Sequence, residues 1–158
     1  MTETALDATS IDFGELPAPI DALLKHGVAA YRSDRARADE LFREALALGP
    51  QTLAAYYCLY KIHTYMGNLD TAAQVAQEGM NEAARQAGWS ANPASWPRSL
   101  AHAGPARFAL FTLKALSFIE LKRGNREVAL AHLARLALLD PSGGVGWPVI
   151  LALAQGTT

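Results

Sequence analysis

The chain contains little of what most metal-binding, nucleic-acid-binding or membrane proteins are built from. Its 158 residues include one cysteine, Cys58, so neither a disulfide framework nor a cysteine-based metal motif is expected. The net charge is only −1, so no overall electrostatic field predicts binding to nucleic acid. No stretch approaches the roughly 18 uninterrupted apolar residues of a membrane span. Because the N-terminus also lacks a basic region followed by an apolar run, we expect no secretory signal, and a soluble cytoplasmic protein is the default.

Recognisable constellations of catalytic residues are missing as well. The sequence has no ordered Ser-His-Asp arrangement, no glycine-rich phosphate loop after a strand and no carboxylate pair in an apolar context. Its histidines share no ligand spacing; they are His26, His63, His102 and His132. The sequence therefore predicts a protein that is not an enzyme and that has neither a cofactor nor a metal. A metal or small-ligand site built from His26, His63 and Cys58 is the alternative to packing histidines and a buried thiol.

Hydrophobic residues, mainly alanine and leucine, are what the chain has in quantity. They make up 51% of the sequence, which argues against global disorder. Alanine and leucine favour helices, and β-branched residues are sparse, so we predict an all-α fold. Glycine and proline divide the chain into segments with helical apolar spacing. The predicted helices span about 20–33, 35–48, 52–66, 69–86, 105–123, 126–139 and 146–154.

A frame of small and large apolar residues recurs along these helices. It reads Ala38, Phe42, Ala45 and Pro50. It returns at identical spacing as Ala129, Leu133, Leu136 and Pro141. A weaker middle copy reads Ala72, Ala76 and Gly79. Ala38 and Ala72 are 34 residues apart, and Ala72 and Ala129 are 57 apart, which is 34 plus 23.

The paired helices, this frame and a Gly-Asn break before the key alanine resemble the tetratricopeptide repeat (TPR) family, whose period is 34 residues. The resemblance covers about 20–141. It implies a right-handed α-superhelix of about three TPR helix pairs plus a C-terminal capping helix, in a single domain over 17–155. The repeats would span about 20–50, 52–87 and 105–141, separated by an insertion loop at 88–104. Residues 1–16 are predicted to be a flexible acidic tail.

In this family the first helix of each pair lines a concave groove. The groove-facing candidates at four-residue spacing are Leu23, Gly27 and Tyr31, then Tyr57, Lys61 and Tyr65, then Lys114, Phe118 and Lys122. Such a surface suits a peptide with apolar and acidic side chains. The alternative is that Tyr57, Tyr65 and Phe118 are core residues. The lysines could also attract the acidic residues 1–16 of the chain itself, with Ile11, Phe13 and Leu16 docking.

The insertion loop 88–104 is the second candidate for partner binding. Loops of this length are usually functional or disordered, and tryptophan is enriched at interfaces. Its candidate residues are Trp89, Trp96 and Arg98. Alternatively, both tryptophan rings only cover the end of a long fourth helix.

Together these patterns predict a non-catalytic adaptor or chaperone-like module. It would bind a partner protein or peptide, rather than nucleic acid or a membrane, through the concave groove and the 88–104 loop. The alternative is an accessory subunit whose repeat surface forms a permanent oligomeric interface, such as a homodimer. The sequence identifies neither the partner nor the oligomeric state.

Overall fold

A computed structural model describes residues 13–98 and 103–156. Most of the predicted tail, including Ile11, lies outside these residues, as do His102 and part of the predicted insertion loop. Within the described ranges the chain forms seven α-helices and one 3₁₀ turn and contains no strand. The predicted all-α class is therefore confirmed for this part of the chain. None of its helices is long and apolar enough to cross a membrane.

The predicted helices are all present, with small shifts at their ends. They are α1 (Ala18–Ala30), α2 (Arg35–Leu48), α3 (Leu53–Met66), α4 (Leu69–Ala87), α5 (Gly104–Lys122), α6 (Arg126–Leu139) and α7 (Trp147–Gln155), with the 3₁₀ turn at Pro93–Ser95. Proline lies in the first turn of α1, α5 and α7, where its missing N–H leaves no helical hydrogen bond unmade.

The chain divides into two compact units, Met1–Val75 and Ala76–Thr158, with the boundary inside α4. In the first unit α1 packs against α2, and α2 packs against α3. In the second unit α5 packs against α6, and α7 packs against both. Helices that follow one another in sequence therefore pack together within each unit. The prediction of a single domain over 17–155 stays a prediction.

The turn after α3 and the turn after α5 have the same hydrogen-bonded structure. Gly67 and Gly124 adopt left-handed φ angles of 80° and 88°, which end the helices without steric strain. In both turns the N–H of the following residue, Asn68 or Asn125, donates to the carbonyl five residues earlier at 2.8 Å. The asparagine carbonyl then accepts from the alanine four residues later, which is the first residue of the repeated frame. In two of its three copies, the sequence frame thus begins at the same local structure.

Small residues set the distance between α1 and α2. Ala38, Phe42 and Ala45 of α2 are fully buried, and the Phe42 ring lies against Gly27 of α1. A Cβ at position 27 would overlap atoms of the Phe42 ring. The predicted groove-facing position of Gly27 is therefore wrong, because this residue is buried in the contact between the two helices.

Replacing Gly27 by Ala should destabilise the protein by about 1–3 kcal/mol, because the added methyl group forces the Phe42 ring or the helices apart. The sign is informative, since a Gly→Ala substitution in a helix normally stabilises by about 0.5–1 kcal/mol. Urea unfolding of the G27A variant measures the effect. His26→Ala, an exposed neighbour on α1, is the control and should change stability by no more than about 0.5 kcal/mol. A G27A variant as stable as the native chain would contradict the close contact.

Candidate functional site

The half-buried side chain of Lys61 lies between two tyrosine rings on α3. Its Nζ atom is 5.6 Å from the centroid of the Tyr57 ring and 5.5 Å from that of the Tyr65 ring. The three residues are four positions apart, so they share one face of the helix. Among the described residues no carboxylate forms an ion pair with Lys61. Burial lowers the pKa of its ammonium group, and the aromatic faces offer it a partial substitute for water.

A side chain from the irregular segment before α1 lies against this face. The Phe13 ring centroid is 5.7 Å from that of Tyr57, and the ring planes are inclined at 53°. Tyr57 also contacts Tyr60 in an edge-to-face arrangement, with the ring centroids 5.7 Å apart. Only 3% of Tyr57 is exposed, whereas Phe13 is half-buried. Tyr57 is therefore the floor of the site, and Phe13 is placed over it.

Two of the predicted groove residues are core residues. Tyr31, which follows the last residue of α1, is as buried as Tyr57, and the Arg35 guanidinium lies 5.0 Å from the centroid of its ring. This corrects the groove-facing positions predicted for Tyr31 and Tyr57, whose rings have almost no free surface. By contrast, Tyr65 is 42% exposed. Partial burial and the neighbouring Tyr31 raise the pKa of its hydroxyl.

The second unit carries similar lysine–aromatic pairs on one face of α5. Lys114 Nζ lies 4.0 Å from the Phe111 ring centroid, and Lys122 Nζ lies 5.4 Å from the Phe118 ring centroid. Phe118 is half-buried, so part of its surface stays accessible, and Lys122 is exposed. A single groove that combines these residues with Tyr57, Lys61 and Tyr65 stays a prediction.

The start of the predicted insertion loop is ordered by hydrogen bonds. The ring centroids of Trp89 and Trp96 lie 5.1 Å apart, and Trp96 Nε1 donates to the carbonyl of Ser90 at 2.8 Å. Trp96 is only 4% exposed, so it is a buried residue of the loop and not an accessible one. Trp89 is half-buried and Arg98 is exposed, which leaves these two residues accessible.

A buried histidine connects α2 to α3. His63 Nε2 lies 2.7 Å from Asp39 Oδ1, and the amide nitrogen of Asn68 lies 3.1 Å from His63 Nδ1. Because the Asn68 amide nitrogen can only donate, Nδ1 accepts and Nε2–H donates to the carboxylate. Both ring nitrogens of His63 therefore form hydrogen bonds within the protein. The spacing of residues along the sequence gave no indication of the pair between His63 and Asp39, which are 24 positions apart.

The Asp39 carboxylate has a second partner, since Arg43 Nε donates to it at 3.0 Å. Burial by itself would raise the pKa of Asp39. The hydrogen bonds from His63 and Arg43 outweigh that effect and hold the pKa below its ordinary value. The group is therefore ionised near neutral pH and contributes to the packing of α2 against α3.

The residues of the metal or small-ligand alternative are not brought together as a ligand set. Cys58 is buried, and this burial raises the pKa of its thiol to about 12, which makes it a poor nucleophile at neutral pH. His26 is exposed on α1, while His63 is buried between Asp39 and Asn68. Across residues 13–98 and 103–156, no group of three His, Cys, Asp or Glu side chains could hold a metal ion.

Comparisons with known proteins assign no family to the chain. No family model matches the chain, and no curated protein or solved structure matches it. The tetratricopeptide resemblance therefore rests on the repeated frame and its turns.

Replacing Asp39 by Asn should destabilise the protein by about 1–3 kcal/mol at pH 7, because His63 and Arg43 lose a charged acceptor. The pKa of Asp39 is lower in the folded state than the ordinary 3.8. Its stabilising contribution is therefore complete above that value and is lost as the pH falls through the folded pKa. Urea unfolding of the native and D39N chains at a series of pH values measures this difference.

We expect the difference in stability to shrink below about pH 4, as the Asp39 carboxylate of the native chain becomes protonated. Glu40→Gln, an exposed acid on the same helix, is the control and should show a difference within about 0.5 kcal/mol. A D39N penalty that persists undiminished into strong acid would contradict the role of the ionised carboxylate.

Proposed function

We propose that the chain is a non-catalytic protein-interaction module, adaptor or chaperone-like, that binds a peptide segment of a partner at the α3 face. This face presents the partly exposed Lys61 and Tyr65 beside the buried ring of Tyr57. The observation that carries the proposal is the half-buried Lys61 ammonium, which has aromatic neighbours and no carboxylate partner among the described residues. Partly buried charges are normally paired, so a carboxylate from a partner would complete the site.

The chemistry of the α3 face indicates what kind of peptide would bind. A carboxylate of the peptide would approach Lys61, where the low water content strengthens the ion pair. The exposed part of Tyr65 offers an apolar surface with a hydroxyl at its edge. We therefore propose a partner segment with both acidic and apolar side chains. No role with nucleic acid or a membrane is proposed.

The α5 face of the second unit supports the same class of function. Lys114 and Lys122 each lie beside a phenylalanine ring, and Phe118 is only half-buried. We propose these residues, together with the accessible Trp89 and Arg98, as a partner-binding surface of the second unit.

The proposed architecture is a right-handed superhelix of about three TPR-like helix pairs closed by α7. The recurring glycine–asparagine turns and the buried alanines of the frame support it. The hydrogen bonds that hold α7 within its unit also support this architecture. Arg126 Nε donates to the Ala154 carbonyl at 3.1 Å, and Trp147 Nε1 donates to the Asp140 carbonyl at 2.7 Å.

Selection of peptides from a random displayed library against the full chain tests the proposed function. Enriched peptides should combine Asp or Glu with aromatic or aliphatic residues. Replacing Lys61 by Met should weaken their binding about tenfold or more, since a hydrogen-bonded charge pair contributes about 1.5–3 kcal/mol. Titration of labelled peptides, followed by fluorescence anisotropy, measures this.

Lys25→Met is the matched control, because Lys25 is an exposed lysine of α1 that pairs with Asp21. This variant should bind the selected peptides as the native chain does. The proposal fails if no peptide is enriched, or if the K61M variant binds the enriched peptides as tightly as the native chain.

A second candidate function is favoured by the surface of α7. Val149 and Leu153, four positions apart on one face, are 66% and 58% exposed. The helix contains no charged residue. Exposed apolar faces of this kind are typical of contacts between proteins. In this second candidate function, the protein is an accessory subunit that forms a homodimer through α7.

The second candidate predicts a dimer that separates into monomers when Val149 and Leu153 are both replaced by Glu, because two charges cannot be buried in an apolar contact. Both side chains are largely exposed in the single chain, so the variant should fold normally. Size-exclusion chromatography with light scattering gives the mass of each species. Gln155→Glu adds a charge to an exposed position of the same helix and should leave a dimer intact. A native chain that is monomeric at high micromolar concentration excludes this candidate.

A further inference from the structure

We propose that residues 13–16 are a built-in ligand of the α3 face. Phe13 would occupy, within the same chain, the position that an aromatic side chain of the partner takes in the complex. The inference rests on the proposed function and adds two things to it. It defines the partner segment as an aromatic residue flanked by carboxylates, and it makes access to the site dependent on release of Phe13.

The contact of Phe13 has the form of a bound peptide side chain. Residues 13–17 have no regular secondary structure, and α1 begins only at Ala18. The Phe13 and Tyr57 rings, 5.7 Å apart and inclined at 53°, fall within the range of favourable aromatic pairs. An irregular segment thus places one aromatic ring against Tyr57, whose ring centroid also lies 5.6 Å from Lys61 Nζ.

The backbone next to Phe13 depends on a glycine. Gly14 has a φ of 73°, a left-handed conformation that residues with a side chain rarely adopt. No atom lies within 4 Å of where its Cβ would be, so the glycine is needed for the turn and not for space. A substitution at position 14 can therefore disturb the placement of Phe13 without altering either ring.

The charges of the segment complement the site. Residues 1–16 contain four acids and no base, and Asp12 and Glu15 flank the aromatic residue in sequence. Lys61 is the cation next to Tyr57, and it has no carboxylate partner among the described residues. Phe13 is the residue of this segment that contacts the α3 face, and its neighbours in sequence are acidic. A partner segment with an aromatic residue between carboxylates would compete with it.

The strength of this competition can be measured as a change in the affinity of an external peptide. An external peptide binds only the molecules whose site is open, so its apparent affinity falls in proportion to the open fraction. If Phe13 occupies the site in nine molecules of ten, removing its ring should raise the affinity about tenfold. Mutations that only weaken the contact should raise the affinity less.

A fluorescein-labelled peptide of residues 5–16 provides a defined probe. By fluorescence anisotropy it should bind the full-length Phe13→Ala variant about tenfold more tightly than the native chain. The same peptide with alanine in place of phenylalanine should not bind. Adding Lys61→Met to the F13A chain should weaken binding of the native-sequence peptide.

Gly14→Ala is the second variant and keeps both rings. It should raise the affinity for the peptide several-fold, because an alanine is strained at this φ angle. Gly124→Ala is its matched control, since Gly124 has a φ of 88° and equally open space around its Cβ position. It should leave the affinity unchanged. Circular dichroism melting verifies that each variant is folded. If the F13A variant is unfolded, the affinity of the G14A variant is used to test the inference.

The results separate this inference from the proposed function. Equal affinity of the labelled peptide for the native, F13A and G14A chains overturns the inference, as does full binding of the alanine-containing peptide. If library-selected peptides still bind in a Lys61-dependent way, the proposed function stands without the built-in ligand. If their binding does not depend on Lys61, the proposed function fails, whatever F13A and G14A do to the affinity of the labelled peptide.

Discussion

Close approach between helices is the constraint on which the first unit depends. Each helix has an apolar face that it cannot bury alone, so neighbouring helices must pack at short distance. The absence of a side chain at Gly27 leaves room for the Phe42 ring, and this contact fixes α1 against α2. The pair between Asp39 and His63 then connects α2 to α3. Helices α1 and α3 also contact each other directly.

The α3 face combines a buried side chain with partly exposed ones on a single helix. Tyr57 lies with its ring in the core, while Tyr65 reaches the surface and Lys61 spans the two. The lysine is buried enough for its pKa to fall, and no described carboxylate compensates it. Such an arrangement is less favourable for the isolated chain than a paired lysine would be. It becomes favourable when a carboxylate is supplied, which is the physical basis of the proposed peptide binding.

Much of the secondary structure could be predicted, whereas much of the site could not. Helix ends follow from local chemistry, since Gly67 and Gly124 adopt left-handed conformations and the next asparagine makes the same hydrogen bond in both turns. Four-residue spacing correctly placed Tyr57, Lys61 and Tyr65 on one face of a helix, but it could not say how deep that face lies. Similarly, the role of Trp96 depends on a hydrogen bond to Ser90 that composition does not reveal.

The all-α class, the positions of the helices and the recurrence of the frame can all be read from the order of residues along the chain. These properties depend on interactions between residues close in the chain, such as those that place glycine after a helix and alanine inside it. Tertiary structure decided which side chains are buried and which distant residues meet, as with His63 and Asp39, or Phe13 and Tyr57. Those contacts depend on how helices pack in three dimensions, and the periodicity of a single helix does not contain that information.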